Sequence, residues 1–173
     1  MKPEQVLHNW EVFSKVNIDP STIRRASSGL LNKTYIMRMN SELYVLQSVH
    51  PAVSMDGAMN NYFHVTQFFK NHRLPTQIII PTIDNKLWID DISGDQWRWR
   101  LLQGVEGEVY DKTTGSNAID SRLAEEAGKL IGGFHVALSE YPEKLATGLP
   151  MFRYEQHITK LRQFQKQLME DTD

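Results

Sequence analysis

Three extended runs in close succession, residues 23–26, 34–39 and 43–49, constrain this chain more than any other feature. The second and third are rich in branched and aromatic residues. The connections between them, one bearing Ser27-Ser28-Gly29 and the other Asn40-Ser41-Glu42, are short, so the runs fold back on one another as antiparallel strands. The first connection carries Gly29 between small and polar residues. A turn of that kind can lay its backbone N–H groups over a phosphate, because nothing bulky blocks the approach. The same residues also read as an ordinary hairpin turn. His50-Pro51 ends the third strand.

The period then changes. Met55, Met59, Tyr62, Thr66 and Phe69 recur every three or four positions, which predicts a helix over 54–71, capped by Ser54 with Asp56 in its first turn. Leu74-Pro75 closes it. Ile78-Ile79-Ile80 and Lys86-Leu87-Trp88-Ile89 predict two further strands. Residues 96–103 alternate strictly, with Trp97, Trp99 and Leu101 on one side and Arg98, Arg100 and Leu102 on the other. Gly104 and Gly107 then break the texture as a linker would. Beyond them strand character disappears. A helix is expected over 121–138, with Asn117 and Asp120 as a capping box. Gly128 and Gly132 leave a smooth strip for close packing, which should offset their helix-propensity cost of about 1 kcal/mol each. Tyr154, Ile158, Leu161, Phe164 and Leu168 draw a last helix. At the front, Val6, Leu7, Trp10 and Phe13 predict a short amphipathic helix over 4–13.

Charge and composition narrow the function. The formal net charge of −2 offers no field for nucleic acid or an anionic membrane, and no apolar run could span a bilayer. With no cysteine there is no disulfide, thiol catalysis or cysteine-based zinc site, as expected of a cytoplasmic protein. Trp97-Arg98-Trp99-Arg100 interleaves aromatic and basic residues, but on a strand they face opposite ways and form no single stacking platform. Asp84, Asp90 and Asp91 read as solvated turn residues rather than a metal site, and His135 as packing or a hydrogen bond to a neighbouring loop.

The serial order of strands, helix, strands, glycine-broken connector and helices resembles the small lobe, hinge and first large-lobe helices of a protein-kinase-like fold. In residue detail the chain is similar to the aminoglycoside phosphotransferase and choline kinase superfamily, and within it to the N-acetylhexosamine kinase-like branch. The likeness rests on Ser28-Gly29-Leu30-Leu31-Asn32-Lys33-Thr34-Tyr35, on Tyr44-Val45-Leu46-Gln47, on Met59-Asn60-Asn61 with Val65-Thr66, on Gly132-Gly133-Phe134-His135 and on Leu149-Pro150-Met151-Phe152. It implies an α+β fold with an antiparallel sheet of five or six strands and one packed helix. The expected divisions are a small lobe over 1–103, a hinge over 104–112 and the helical start of a large lobe over 113–173.

The resemblance also assigns roles. Ser28, Gly29, Leu30 and Asn32 would cover the phosphates of ATP, Val45 would lie against adenine, and the backbone of Gln103, Gly104 and Val105 would meet the adenine edge. Kinases of this shape place a lysine on the third strand, oriented by a helix glutamate. Here Gln47 stands at the lysine position, with Asn60 or Asn61 nearest the glutamate position and Lys33 available as a compensating cation. The superfamily's His-x-Asp motif is absent: none of the six histidines has an aspartate two positions on. No catalytic or metal-binding residue is therefore assigned. The expectation is the N-terminal part of a small-molecule kinase acting on a sugar, amino sugar or amino alcohol hydroxyl, inactive as this chain, with Mg2+ and acceptor belonging to a longer form. The alternative is a non-catalytic nucleotide- or partner-binding module, which would dimerise or find a partner. An unrelated α+β domain sharing the same order is a third reading.

Overall fold

The computed structural model describes residues 1–27, 31–92, 96–107, 110, 112–142 and 144–146. Six strands form one antiparallel sheet: β1 (Arg24–Arg25), β2 (Lys33–Met39), β3 (Glu42–Val49), β4 (Ile79–Ile80), β5 (Ile89–Asp90) and β6 (Arg98–Gln103). Their spatial order is β1-β2-β3-β6-β4, with β5 also paired to β6. All the pairings are antiparallel, as the family likeness implied.

β2 and β3 meet through Asn40 and Ser41, both at positive φ (52° and 67°). Two consecutive left-handed residues make the hairpin turn whose twist matches that of the flanking strands. β6 joins the other edge of β3 in a register that sets Gln47 opposite Arg100 and Val45 opposite Leu102.

Each face of the sheet has its own cover. The alternation predicted in 96–103 places Trp99 and Leu101 on one face, with Met37 and Leu46, against Val6, Leu7, Trp10 and Phe13. These N-terminal residues form two short helices, α1 (Pro3–Leu7) and α2 (Glu11–Ser14), rather than one over 4–13. The break swings Trp10 inward, where its indole N–H donates to the Ile80 carbonyl at 2.7 Å. Spacing alone could not show it, since the same residues stay buried either way.

The opposite face carries Val45, Ile79 and Leu102, packed by Tyr62, Phe63 and Leu87. Tyr62 and Phe63 lie on α3 (Asp56–Asn71), whose cap is Met55 and not Ser54. The Ser54 hydroxyl instead donates to the Pro51 carbonyl, while its own carbonyl accepts from Arg98 at 2.6 Å. Arg98 also pairs with Asp56 in the first turn of α3 and with Asp90 on β5 at 2.9 Å. Arg98 thus ties the start of α3 to the sheet.

A long helix, α4 (Asn117–Ser139), follows the connector. Its cap is Ser116 rather than Asn117, and the Asp120 carboxylate accepts from the amide and hydroxyl of Thr114, both at 2.8 Å. Phe134 reaches α3, its ring 4.6 Å from that of Phe69, and Gly133 lies beside Leu74. The strip at Gly128 and Gly132 is open: a Cβ at either position would meet nothing within 4 Å. His135 is exposed, and most of the loop to which its hydrogen bond was expected lies outside the described residues. The helix expected from Tyr154 to Leu168 lies outside the described residues.

Candidate functional site

On the α3 face of the sheet, α3 packs over Val45, Ile79 and Leu102 of β3, β4 and β6, and an opening remains toward β1 and β2. The opening is a cleft of about 730 Å³ floored by Ile36, Leu43 and Val45 and bounded by Val105, Glu106 and Gly107 of the connector. Arg38 and Glu106 form an ion pair at its lip, at 2.7 Å. An apolar floor beside exposed backbone suits a flat heteroaromatic ring.

The connector backbone is partly committed. The Gln103 N–H donates to the Ile78 carbonyl at 3.0 Å, and the Gly104 N–H to the Leu43 carbonyl at 2.7 Å. Of the three residues predicted to meet an adenine edge, Val105 alone has an N–H that makes no hydrogen bond among the described residues. Gly104 has a role spacing could not reveal: a Cβ there would overlap the Leu43 side chain, so glycine permits the connector to lie flat on β3.

From Val45 the same face of β3 leads two residues on, about 7 Å at the usual strand rise, to Gln47. There β3 pairs with Thr34, next to the glycine-bearing turn. The predicted phosphate-covering residues Ser28, Gly29 and Leu30 of that turn lie outside the described residues. Asn32 is described, and its side-chain oxygen accepts from the His50 N–H at 3.0 Å, pinning the end of the turn to the end of β3. The cleft floor therefore reaches from the connector to Val45, and Gln47 lies beyond that lining, two residues further along the same face of β3.

Gln47 is not alone. Its side-chain oxygen accepts two hydrogen bonds from Arg100, from Nε at 3.0 Å and Nη2 at 2.8 Å. The Arg100 side chain stacks on the Tyr62 ring, 4.0 Å to its centroid, and its Nη1 lies 4.0 Å from the Met59 sulfur. Arg100 is only 8% exposed and has no carboxylate partner among the described residues. Burial pushes its pKa down and that of Tyr62 up, although a guanidinium remains protonated throughout. Holding an unpaired ion there costs on the order of several kcal/mol before compensation. The Gln47 oxygen, the Tyr62 ring and the Met59 sulfur supply that compensation.

Three expectations are corrected here. Lys33 cannot compensate for the missing lysine: it pairs with Ser48, on the opposite face from Gln47, and its ammonium sits over the Trp97 ring at 4.4 Å. Neither Asn60 nor Asn61 occupies the glutamate position. Asn60 is exposed, and Asn61 exchanges two hydrogen bonds with the Ala146 backbone, at 2.9 and 3.0 Å. Met59 and Tyr62 are the α3 residues that meet the Gln47–Arg100 pair. Asp90 and Asp91 are not free turn residues either: Asp90 binds Arg98, and Asp91 accepts from the Trp99 indole at 2.7 Å and the N-terminal amine at 3.2 Å. Among the described residues no cluster of three or more histidines and carboxylates could hold a metal. Nor is any helix among them long and apolar enough to cross a membrane.

An antiparallel sheet with one helix on its cleft face, then a connector and a helix, is the architecture of the small lobe and hinge of a protein-kinase-like phosphotransferase. A family model described as "Phosphotransferase enzyme family" matches residues 22–173, and the chain belongs to that family. Among solved structures it is similar to an amicoumacin kinase in complex with AMP-PNP, Ca2+ and Ami, at 15% identity and a TM-score of 0.61, over 99% of this chain and 56% of that one. It is also similar to a microcompartment-associated aminopropanol kinase, at 13% identity and a TM-score of 0.57, over 87% of this chain and 43% of that one. The chain thus spans about half the length of these structures, and at such identities the likeness is one of fold. No curated protein matches its sequence.

Proposed function

We propose that this chain is the nucleotide-binding front part of an ATP-dependent small-molecule kinase, with a small lobe over 1–103, a hinge over 104–112 and the start of a large lobe over 113–173. The observation that carries the reading is the cleft itself. Its apolar floor of Ile36, Leu43 and Val45 is bounded by Val105, whose N–H makes no hydrogen bond among the described residues, and Gln47 follows Val45 two residues on along the same face of β3. Adenine would lie on Val45 with its edge toward Val105, and the phosphates would extend past Gln47 under Ser28, Gly29, Leu30 and Asn32. The acceptor is a hydroxyl of a sugar, amino sugar or amino alcohol. The reaction belongs to the cytoplasm and, in a longer form, uses Mg2+.

This chain lacks a His-x-Asp motif, and its described residues hold no carboxylate cluster for a metal, so no transfer step is assigned to it. Calorimetric titration of the full chain with ATP and with adenosine tests the reading. Binding of both, with mutual competition, is the expected result; binding of neither rejects it. A second reading, a non-catalytic module working with a partner, draws support from α4, where Ile131 and Val136 are 54% and 66% exposed. Sedimentation as a compact monomer would count against that second reading.

A further inference from the structure

The Gln47–Arg100 pair has a direction. A guanidinium carries donors only, so the Gln47 amide must turn its oxygen toward Arg100, and both printed contacts go to that oxygen. The amide nitrogen is thereby turned away, and Nε2 donates to no group among the described residues. Since none of their buried side-chain polar atoms lacks a partner, Nε2 is not fully sealed from solvent. It lies on the cleft face of β3, at the end next to the glycine-bearing turn. Behind it sits a cation with no carboxylate partner among the described residues, held by Tyr62 and Met59 of α3.

We propose that Gln47 and Arg100 act as one phosphate-binding unit. Gln47 presents its Nε2–H donors to the nucleotide phosphates, while Arg100 is a positioning residue that fixes the amide orientation and supplies positive charge from behind. This rests on the reading of the cleft as a nucleotide site and adds how its phosphate end works without a lysine. A neutral amide polarised by a cation is a stronger donor than a free one. A carboxylate on α3 at this point would pair with Arg100 and draw it off the amide. Met59, buried and uncharged, leaves the cation to Gln47.

The test compares ATP with adenosine, since only ATP carries the group the unit would hold. Titrations use the full chain and three variants. Gln47→Glu keeps an acceptor for Arg100, so the fold is retained, but turns the outward donor into a negative oxygen. ATP affinity should fall about tenfold or more, with adenosine affinity within about twofold of wild type. Arg100→Met should lower the ATP-to-adenosine affinity ratio in the same sense. The double variant Gln47→Lys with Arg100→Met should restore that ratio by placing one cation at the strand position, whereas Gln47→Lys alone sets two cations together and should lower the melting temperature. A purely structural role for Arg100 would not move the ratio. If Gln47→Glu binds adenosine but leaves the ratio unchanged, the phosphate-unit inference is overturned while the nucleotide site stands. If the wild-type chain binds neither ligand, the site reading fails and the inference falls with it.

Discussion

The amide N–H of Gly104 donates to the carbonyl of Leu43 across 2.7 Å, and a Cβ at position 104 would overlap the Leu43 side chain. Leu43 floors the cleft, so the connector and the cleft floor are fitted to each other through a missing methyl group. Gly104→Ala must lift the connector or displace Leu43. The expected cost is about 1–3 kcal/mol in urea unfolding, in line with other forced insertions into packed sites. Adenosine binding should weaken in parallel. Wild-type stability in this variant would show that the connector does not lie on β3 in solution.

Arg98 offers a comparison between charge and position. Its carboxylate partners Asp56 and Asp90 have side chains 72% and 75% exposed, whereas that of Arg98 is 22% exposed and also reaches the Ser54 carbonyl. Ion pairs that exposed contribute about 0–1 kcal/mol. Asp56→Asn should therefore cost less than about 1 kcal/mol, while Arg98→Ala, which also strips a backbone carbonyl of its donor, should cost about 1–3 kcal/mol. Equal losses in the two variants would show that the ion pair, rather than the carbonyl contact, holds the start of α3.

Trp10 separates packing from hydrogen bonding on the other face. Trp10→Phe keeps most of the buried ring but leaves the Ile80 carbonyl without its indole donor, an expected loss of about 1–3 kcal/mol. Trp10→Ala removes the whole fully buried side chain and should cost about 3–5 kcal/mol. A Trp10→Phe variant as stable as the wild type would mean that the indole N–H contributes nothing net.

The Thr114–Asp120 clasp ahead of α4 titrates with a known sign. Two hydrogen bonds from Thr114 favour the ionised carboxylate and hold the Asp120 pKa below 3.8. The clasp is therefore at full strength above pH 3.8 and is lost as pH falls through the lower folded value. The Thr114 amide resonance should titrate with a midpoint below 3.8, and Asp120→Asn should abolish that transition. A midpoint at or above 3.8 would mean that the clasp does not form in solution.

The sheet was legible in the sequence to the extent that its information is local. The alternation of 96–103 placed Trp99 with Leu101 and Arg100 with Leu102 correctly, because a period of two fixes faces without knowledge of partners. The periodicity of 54–71 located α3 to within two residues. Helix caps were misplaced by one, at Met55 and Ser116, and α4 begins at Asn117, four residues before the expected 121. Of the residues singled out from the sequence, Val45 on β3 and Val105 in the connector line the cleft. Gln47 was recognisable as the residue in place of a lysine, but its partner Arg100 depends on the register between two strands far apart in sequence. Lys33 lay closer along the chain and was the wrong cation, one residue out of phase and so on the wrong face.

The β2–β3 hairpin closes through two adjacent residues, but the other edge of β3 pairs with β6, and all of α3, β4 and β5 is made in between. A chain emerging from the ribosome can therefore zip the hairpin early while the inner edge of β3, with Val45 and Leu46, waits unpaired for Arg98–Gln103 to appear. During that interval the strand that later floors the cleft is an open β-edge flanked by apolar side chains, the geometry most prone to pairing with another chain. The same central strand that organises the finished site is the point at which synthesis leaves the protein most exposed to misassembly.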